Sequence, residues 1–282
     1  PPIMGTRRMV SLTTLLLIAS TLGWGVRVQH PTAPYWELMV LAFLAGIGGG
    51  AFSGFMPSTS FFFPRRMQGT ALGLQAGLGN FGVSLVQLLT PYLIAMGGLA
   101  IIGGSQTMKT PGKPDKEVWF QNAAFVWIPL MVIGSAIAWT LLKSVPIKAN
   151  IRQQFDIFGN QDTWWMTLIY IMTFGTFSGL AAQFGLLMAN LYGSGSDKVV
   201  SGSGAAAKVL IEGYAVPDPV KYVFLGPLIG AGARVVFSPL TDRMGGAIWS
   251  LVSGIGLIAS IVYTIPALTP DYSSAAALHG DF

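Results

Sequence analysis

The chain has no cysteine in its 282 residues, which excludes disulfides and thiolate metal sites. Charge is scarce. Asp, Glu, Lys and Arg make up 10% of the residues, where soluble domains carry about 25%. The two histidines, His30 and His279, fall outside the long apolar runs. The acids lie in loops or at the ends of such runs, Glu37 among them, so neither a metal cluster nor a nucleophile–base pair assembles from the sequence. Alternating strands of about ten residues, the mark of a membrane β-barrel, are missing as well. The clusters GIGGG and GLGNFG sit inside apolar runs, without the βαβ frame that a nucleotide fingerprint needs. These absences leave no enzyme chemistry, no metal and no cofactor to expect.

What is present is apolar sequence. Hydrophobic residues are 52% of the chain, and they gather in runs of about 20, the length that crosses a bilayer as a helix. A helix satisfies its own backbone in lipid. The expected fold is therefore all-α, a polytopic membrane helical bundle with spans at Met9–Val28, Trp36–Phe63, Thr70–Ile102, Asn122–Leu142, Trp164–Leu191, Tyr222–Leu240 and Ala247–Leu268. Its loops alternate between two sides. One side carries Arg7, Arg8, Arg65, Arg66, Lys143, Lys148, Arg152 and Arg243 against Asp156, Asp162 and Asp242, whereas acids and bases nearly balance on the other. Basic residues packed against helix ends mark the cytoplasmic side of a cell (inner) membrane. The net charge of +5 is thus assigned to topology and not to nucleic acid.

PPIMGTRR precedes the first span and no small-residue cleavage motif follows that span, so no signal peptide is expected. An odd span count that opens in a basic loop reads as a partial chain. The Gly/Arg turns around Arg7 and Arg243 resemble each other, a trace of internal duplication. Expected boundaries are a helix bundle over 1–142, a polar cytoplasmic linker over 143–163 and a second helix group over 164–282. Trp164 and Trp165 mark re-entry at the interface. Residues 193–219, rich in Gly, Ser and Ala, read as a flexible external loop with no assigned function.

One stretch organises the candidate site. In Gly69–Pro91, the residues Gly69, Gly73, Gly77, Asn80, Ser84, Gln87 and Pro91 recur three or four apart and share a helix face. Glycines there let a neighbouring helix approach closely. Asn80 either bonds that neighbour or faces a small guest. Arg234, in FLGPLIGAGARVVFSPL, is an intramembrane charge bordered by Gly226, Gly230, Ala233 and Phe237. It either snorkels to headgroups or points inward and wants an anion, for which a planar oxyanion suits its fork. Tyr170 and Phe174 lie four apart and share a face, as packing or as a site wall. Phe52, among Gly48, Gly49, Gly50, Ser53 and Gly54, walls a cavity or plugs a gap. Asp242, Arg243, Gly245 and Gly246 form a tight charged turn expected to pin helix ends in one transport state.

FFFPRRMQGTALGLQAGLGNFGVSLVQLLTP resembles the nitrate/nitrite porter branch of the major facilitator superfamily, through its GLGNxGVSxxQ pattern. The resemblance extends through TFGTFSG, GPLIGAGAR and the TDRMGG turn. It implies that these spans are helices three to nine of twelve: three to six before the linker, seven to nine after it. It also implies roles. Arg234 matches the family's substrate arginine, Asn80 and Gly77 fall in its first nitrate motif, Phe52 matches an aromatic wall, and Tyr170 and Phe174 match an aromatic pair. Gln75 departs, standing where close bacterial members often have Asn.

The resemblance implies alternating-access transport of nitrate and nitrite, most simply nitrate/nitrite antiport. A flat anion fits between Phe52 and Phe174, with Arg234 and Asn80 donating. Nitrate–proton symport is the alternative within the class, although no acid or histidine lies in these spans beyond Glu37 at the edge of one. Another small anion or a larger organic one is a further alternative, and a non-transporting membrane sensor is the alternative outside it. The expected partners are nitrate, nitrite and the lipid bilayer, with no nucleic acid and no required oligomer.

Overall fold

The computed structural model describes residues 4–30, 32–97, 102–109, 114–144, 155–188, 198–201, 208–211, 214–215 and 219–265. Two compact units emerge. The first is Pro1–Ala76, Leu89–Met108 and Lys116–Gly159; the second is Gly77–Leu88, Lys109–Asp115 and Asn160–Phe282.

In the first unit, α1 (Gly5–Arg27) packs on α2 (Tyr35–Phe62), and on α4 (Asn122–Phe125) and α5 (Trp127–Leu141). The seams are lined by small polar residues, as membrane helices favour where lipid tails offer no competing hydrophobic drive. Ser11 and Ser135 exchange hydroxyl-to-carbonyl bonds of 3.2 and 3.0 Å. Thr6 Oγ1 donates to Ser58 Oγ at 3.0 Å, and Ser20 Oγ to the Leu41 carbonyl at 3.0 Å. Gly25 is buried against the Phe125 ring, where an added Cβ would collide.

The third helix, α3 (Gln68–Ala95), ends earlier than its apolar run suggests. Its last carbonyls are captured: Asn122 Nδ2 donates to Leu93 at 3.2 Å and Met96 at 2.9 Å, and Trp119 N donates to Ile94 at 2.7 Å. With those acceptors satisfied, the chain leaves the helix and forms a hairpin of β1 (Gln106–Met108) and β2 (Lys116–Val118). Asn122 and Gln121 are fully buried in this clamp.

The second unit holds the middle of α3 together with α6 (Gln161–Tyr170), a single π-helical turn (Ile171–Gly175), α7 (Thr176–Met188), α8 (Leu225–Met244) and α9 (Gly246–Thr264). Asn160 starts α6 by accepting from Asp162 N at 2.9 Å. Within the segment expected to be an unstructured loop, the described residues form antiparallel strands β3 (Lys198–Ser201), β4 (Lys208–Ile211) and β5 (Tyr214–Ala215). The β-branched residues Val199, Val200, Val209 and Ile211 favour that pairing, a signal that the Gly/Ser/Ala composition hides.

Large apolar side chains cover the outside. Phe43 is 81% exposed and Tyr263 82%, an arrangement suited to lipid and costly in water. Among the described residues, six helical stretches are long and apolar enough to cross a membrane. The remaining expected span, α8, has 20 residues but falls short in apolarity, because Arg234, Asp242 and Arg243 lie along it.

The turn between α8 and α9 rests on one residue. Gly245 has φ +86°, a left-handed conformation that costs a side chain strain. Its N–H donates to the Thr241 carbonyl at 3.0 Å, closing α8. Gly246 has a negative φ and open space around it. Gly245→Ala is expected to cost about 1 kcal/mol or more, read as a lowered midpoint of thermal unfolding in detergent. Gly246→Ala should leave the midpoint nearly unchanged.

Candidate functional site

The second unit contains a cavity of about 460 Å³, walled by α3, the π-turn helix, α8 and α9. Each wall supplies a distinct kind of group.

The centre of α3 approaches α8 closely because Gly77 has no side chain. A Cβ there would lie 2.5 Å from Val235 Cγ2 and 3.1 Å from the Ala231 carbonyl oxygen. Three residues later on the same face, Asn80 lines the cavity, and its amide makes no hydrogen bond among the described residues. Gln87 ties the other end of this stretch to α7, donating from Nε2 to the Ala181 carbonyl at 2.9 Å.

The aromatic wall comes from α6 and the π turn. Tyr170 and Phe174 stack with centroids 5.2 Å apart and planes at 4°. Wider π-helical winding brings side chains four residues apart nearly into line, which favours this parallel stack. Phe177 follows at 6.1 Å from Phe174, tilted by 39°. Its ring also occupies the space above Gly230, where a Cβ would fall 2.8 Å from a ring carbon.

Arg234 enters from α8, with Gly230, Ala233 and Phe237 lining the same space. It is half-buried, and no carboxylate among the described residues lies within ion-pair distance of it. The Tyr170 phenol is close enough to interact with it electrostatically. The Ser238 hydroxyl donates to the Arg234 carbonyl and so leaves the guanidinium untouched. The donor Arg234 therefore faces a cavity with aromatic and amide walls, and no acid among the described residues lines that cavity. Such a space favours an anion: charge comes from the guanidinium, a neutral donor from Asn80, and flat aromatic walls bound the space around them.

Other expected positions fall elsewhere. Gly77 packs beneath Val235 and does not line the cavity. Phe52, on α2, and Gln75, on the first part of α3, belong to the first unit. Phe52 is half-buried there, and the buried Gln75 amide oxygen finds no partner among the described residues. Asp242, Arg243, Gly245 and Gly246 sit at the junction of α8 and α9 described above. His279 lies outside the described residues.

Thr173, Phe177 and Trp249 also line the cavity, and sequence reasoning passed over them. The π turn that aligns Thr173 has no local sequence signature. Trp249 begins a helix and so reads as an interfacial anchor like Trp164.

Comparison with known proteins follows this geometry. A family model described as Major Facilitator Superfamily matches residues 3–279. The chain is 52% identical over 272 residues to a Thermus thermophilus protein named probable nitrate/nitrite antiporter NarK2, covering 94% of this chain and 57% of that protein. It is 32% identical over 257 residues to the nitrate/nitrite transporter NarU of Escherichia coli (strain K12), covering 90% of this chain and 50% of NarU. The chain thus spans about half the length of the curated relatives it matches.

The contact at Gly77 makes the site sensitive to a single methyl group. Gly77→Ala is expected to overpack α3 against α8 and to cost about 1–3 kcal/mol, lowering the thermal midpoint in detergent. Gly79→Ala, whose added Cβ meets nothing within 4 Å, should be neutral or slightly stabilising.

Proposed function

Because the chain belongs to the major facilitator superfamily, we propose that it forms part of a multi-pass carrier in the cell (inner) membrane that exchanges nitrate and nitrite by alternating access. The observation that carries this reading is Arg234: a guanidinium lining a cavity with Asn80, Tyr170 and Phe174, and with no carboxylate paired to it. The names of the relatives from Thermus thermophilus and Escherichia coli support the same substrates.

The chemistry is economical. Nitrate and nitrite are flat and singly charged, so two in-plane oxygens match the parallel N–H bonds of a guanidinium. Asn80 donates to a further oxygen, and the face of Phe174 lies against the plane of the anion. Phe52, Gln75 and Gly77 are proposed to take part in substrate handling in the full-length carrier, as the family resemblance implies. No covalent step is involved, so the protein is a transporter and not an enzyme. In this reading, residues 1–142 form part of one bundle, 143–163 link the bundles, and 164–282 begin the other.

Exchange follows from the same charge. A half-buried guanidinium with no partner is costly to carry through an occluded state; an anion neutralises it and permits the bundles to rock. Proton coupling would need a titratable carboxylate or imidazole on the path, and none among the described residues lines the cavity. The Asp242–Arg243–Gly245–Gly246 turn then holds the cytoplasmic ends of two helices in one of the alternating states.

Proteoliposomes of the full-length protein test this. Nitrate efflux should require external nitrite or nitrate, and equal efflux into anion-free buffer would argue against exchange. Arg234→Lys keeps the charge and removes the fork, so it should lower apparent nitrate affinity by about tenfold or more. An unchanged affinity would remove Arg234 from the site.

A further inference from the structure

We propose that the indole N–H of Trp249 is a second donor for the transported anion, serving the cytoplasmic half of the path between Arg234 and the end of the bundle. This rests on the exchange reading above and adds a residue to it.

Trp249 lies in the first turn of α9 and lines the same cavity as Arg234. Between them stands Phe237, three residues beyond Arg234 on α8, a rise of roughly 4.5 Å. Its ring meets the indole at 6.0 Å, tilted by 34°. The cavity therefore continues from the arginine toward the α8–α9 junction.

The polar groups in that stretch differ in what they offer. The Thr241 hydroxyl donates to the Ser238 carbonyl at 2.6 Å, and the Ser253 hydroxyl to the Trp249 carbonyl at 2.7 Å. Ser238 donates to the Arg234 carbonyl. Each hydroxyl has spent its proton on backbone and turns lone pairs outward, which repel an anion. The Trp249 Nε1–H is buried, and no acceptor meets it among the described residues. A tryptophan serving only as an interfacial anchor would present its N–H to headgroups or water; here the N–H is enclosed.

A buried donor without an acceptor is costly and calls for an explanation. An anion passing this point supplies the acceptor once the indole and the Phe237 ring shift. The placement also eases release. An anion held by a guanidinium alone leaves slowly, whereas a neutral donor lining the same cavity offers a weaker station, and stepwise sites of graded strength favour passage.

The test uses the full-length protein, reconstituted in known orientation, with nitrate KM measured separately from each face. Trp249→Phe, which keeps the aromatic body and deletes the N–H, should raise KM on the cytoplasmic face about fivefold and leave the external KM unchanged. Trp249→His, which keeps a ring N–H, should recover most of that loss. Unchanged KM on both faces, or a loss confined to maximal rate, would overturn the assignment. So would equal loss in both variants, since that marks packing. A measurement on the unaltered protein guards against misfolded variants: with tryptophan labelled at the indole nitrogen, nitrate should shift the resonance that disappears in Trp249→Phe. No shift of that resonance overturns the proposal. If folded wild-type protein shows no nitrate exchange, the exchange reading fails instead, and the two failures remain distinct.

Discussion

A guanidinium held inside a membrane bundle, with no carboxylate among the described residues paired to it, organises this chain. On insertion scales an arginine at the centre of a span costs about 2.5–3.5 kcal/mol, and α8 is the helix that falls short of membrane-crossing apolarity partly for this reason. The surrounding architecture makes that cost sustainable. Gly230 and Ala233 leave room, and the aromatic residues Tyr170, Phe174 and Phe177 line the same cavity. A site that binds a single small anion needs little more than these groups, provided that nothing on the protein occupies the arginine first.

Close helix packing is what positions them. Gly77 brings α3 against α8 at Val235 and Ala231, so that Asn80, one turn further along, opens into the cavity. Gln87 fastens the same helix to α7. The π turn at Ile171–Gly175 aligns Tyr170 with Phe174 as a flat stack. In the first unit, hydroxyl-to-carbonyl bonds at Ser11, Ser20 and Ser135 perform the comparable task of holding helices together where lipid supplies no hydrophobic drive. The conformational economy is shared: small residues carry the contacts and large ones face outward.

Much of this was legible in the residues. Apolar runs located the long helices, because backbone satisfaction in lipid leaves few other solutions. The i, i+3, i+4 spacing set Gly77 and Asn80 on one helix face, whereas for Arg234 the residues left two readings open, snorkelling or an inward position; in the structure it lines the cavity. What escaped was set by tertiary contacts. Asn122 ends α3 at Ala95 by capturing carbonyls some 26 to 29 positions away in the chain, and no local signal marks that stop. The π turn depends on packing across its neighbours. Strands β3 to β5 hid within a Gly/Ser-rich composition, and nothing in the sequence singled out Trp249.

The central claim is that Arg234 and Asn80 share one small planar anion. A map of the full-length protein prepared in nitrate, at a resolution that shows side-chain amides, tests it most directly. The account predicts planar density within hydrogen-bond distance of both the Arg234 guanidinium and the Asn80 amide, lying against Phe174. Arg234 found paired with a carboxylate of the protein, with the anion elsewhere or absent, would contradict it.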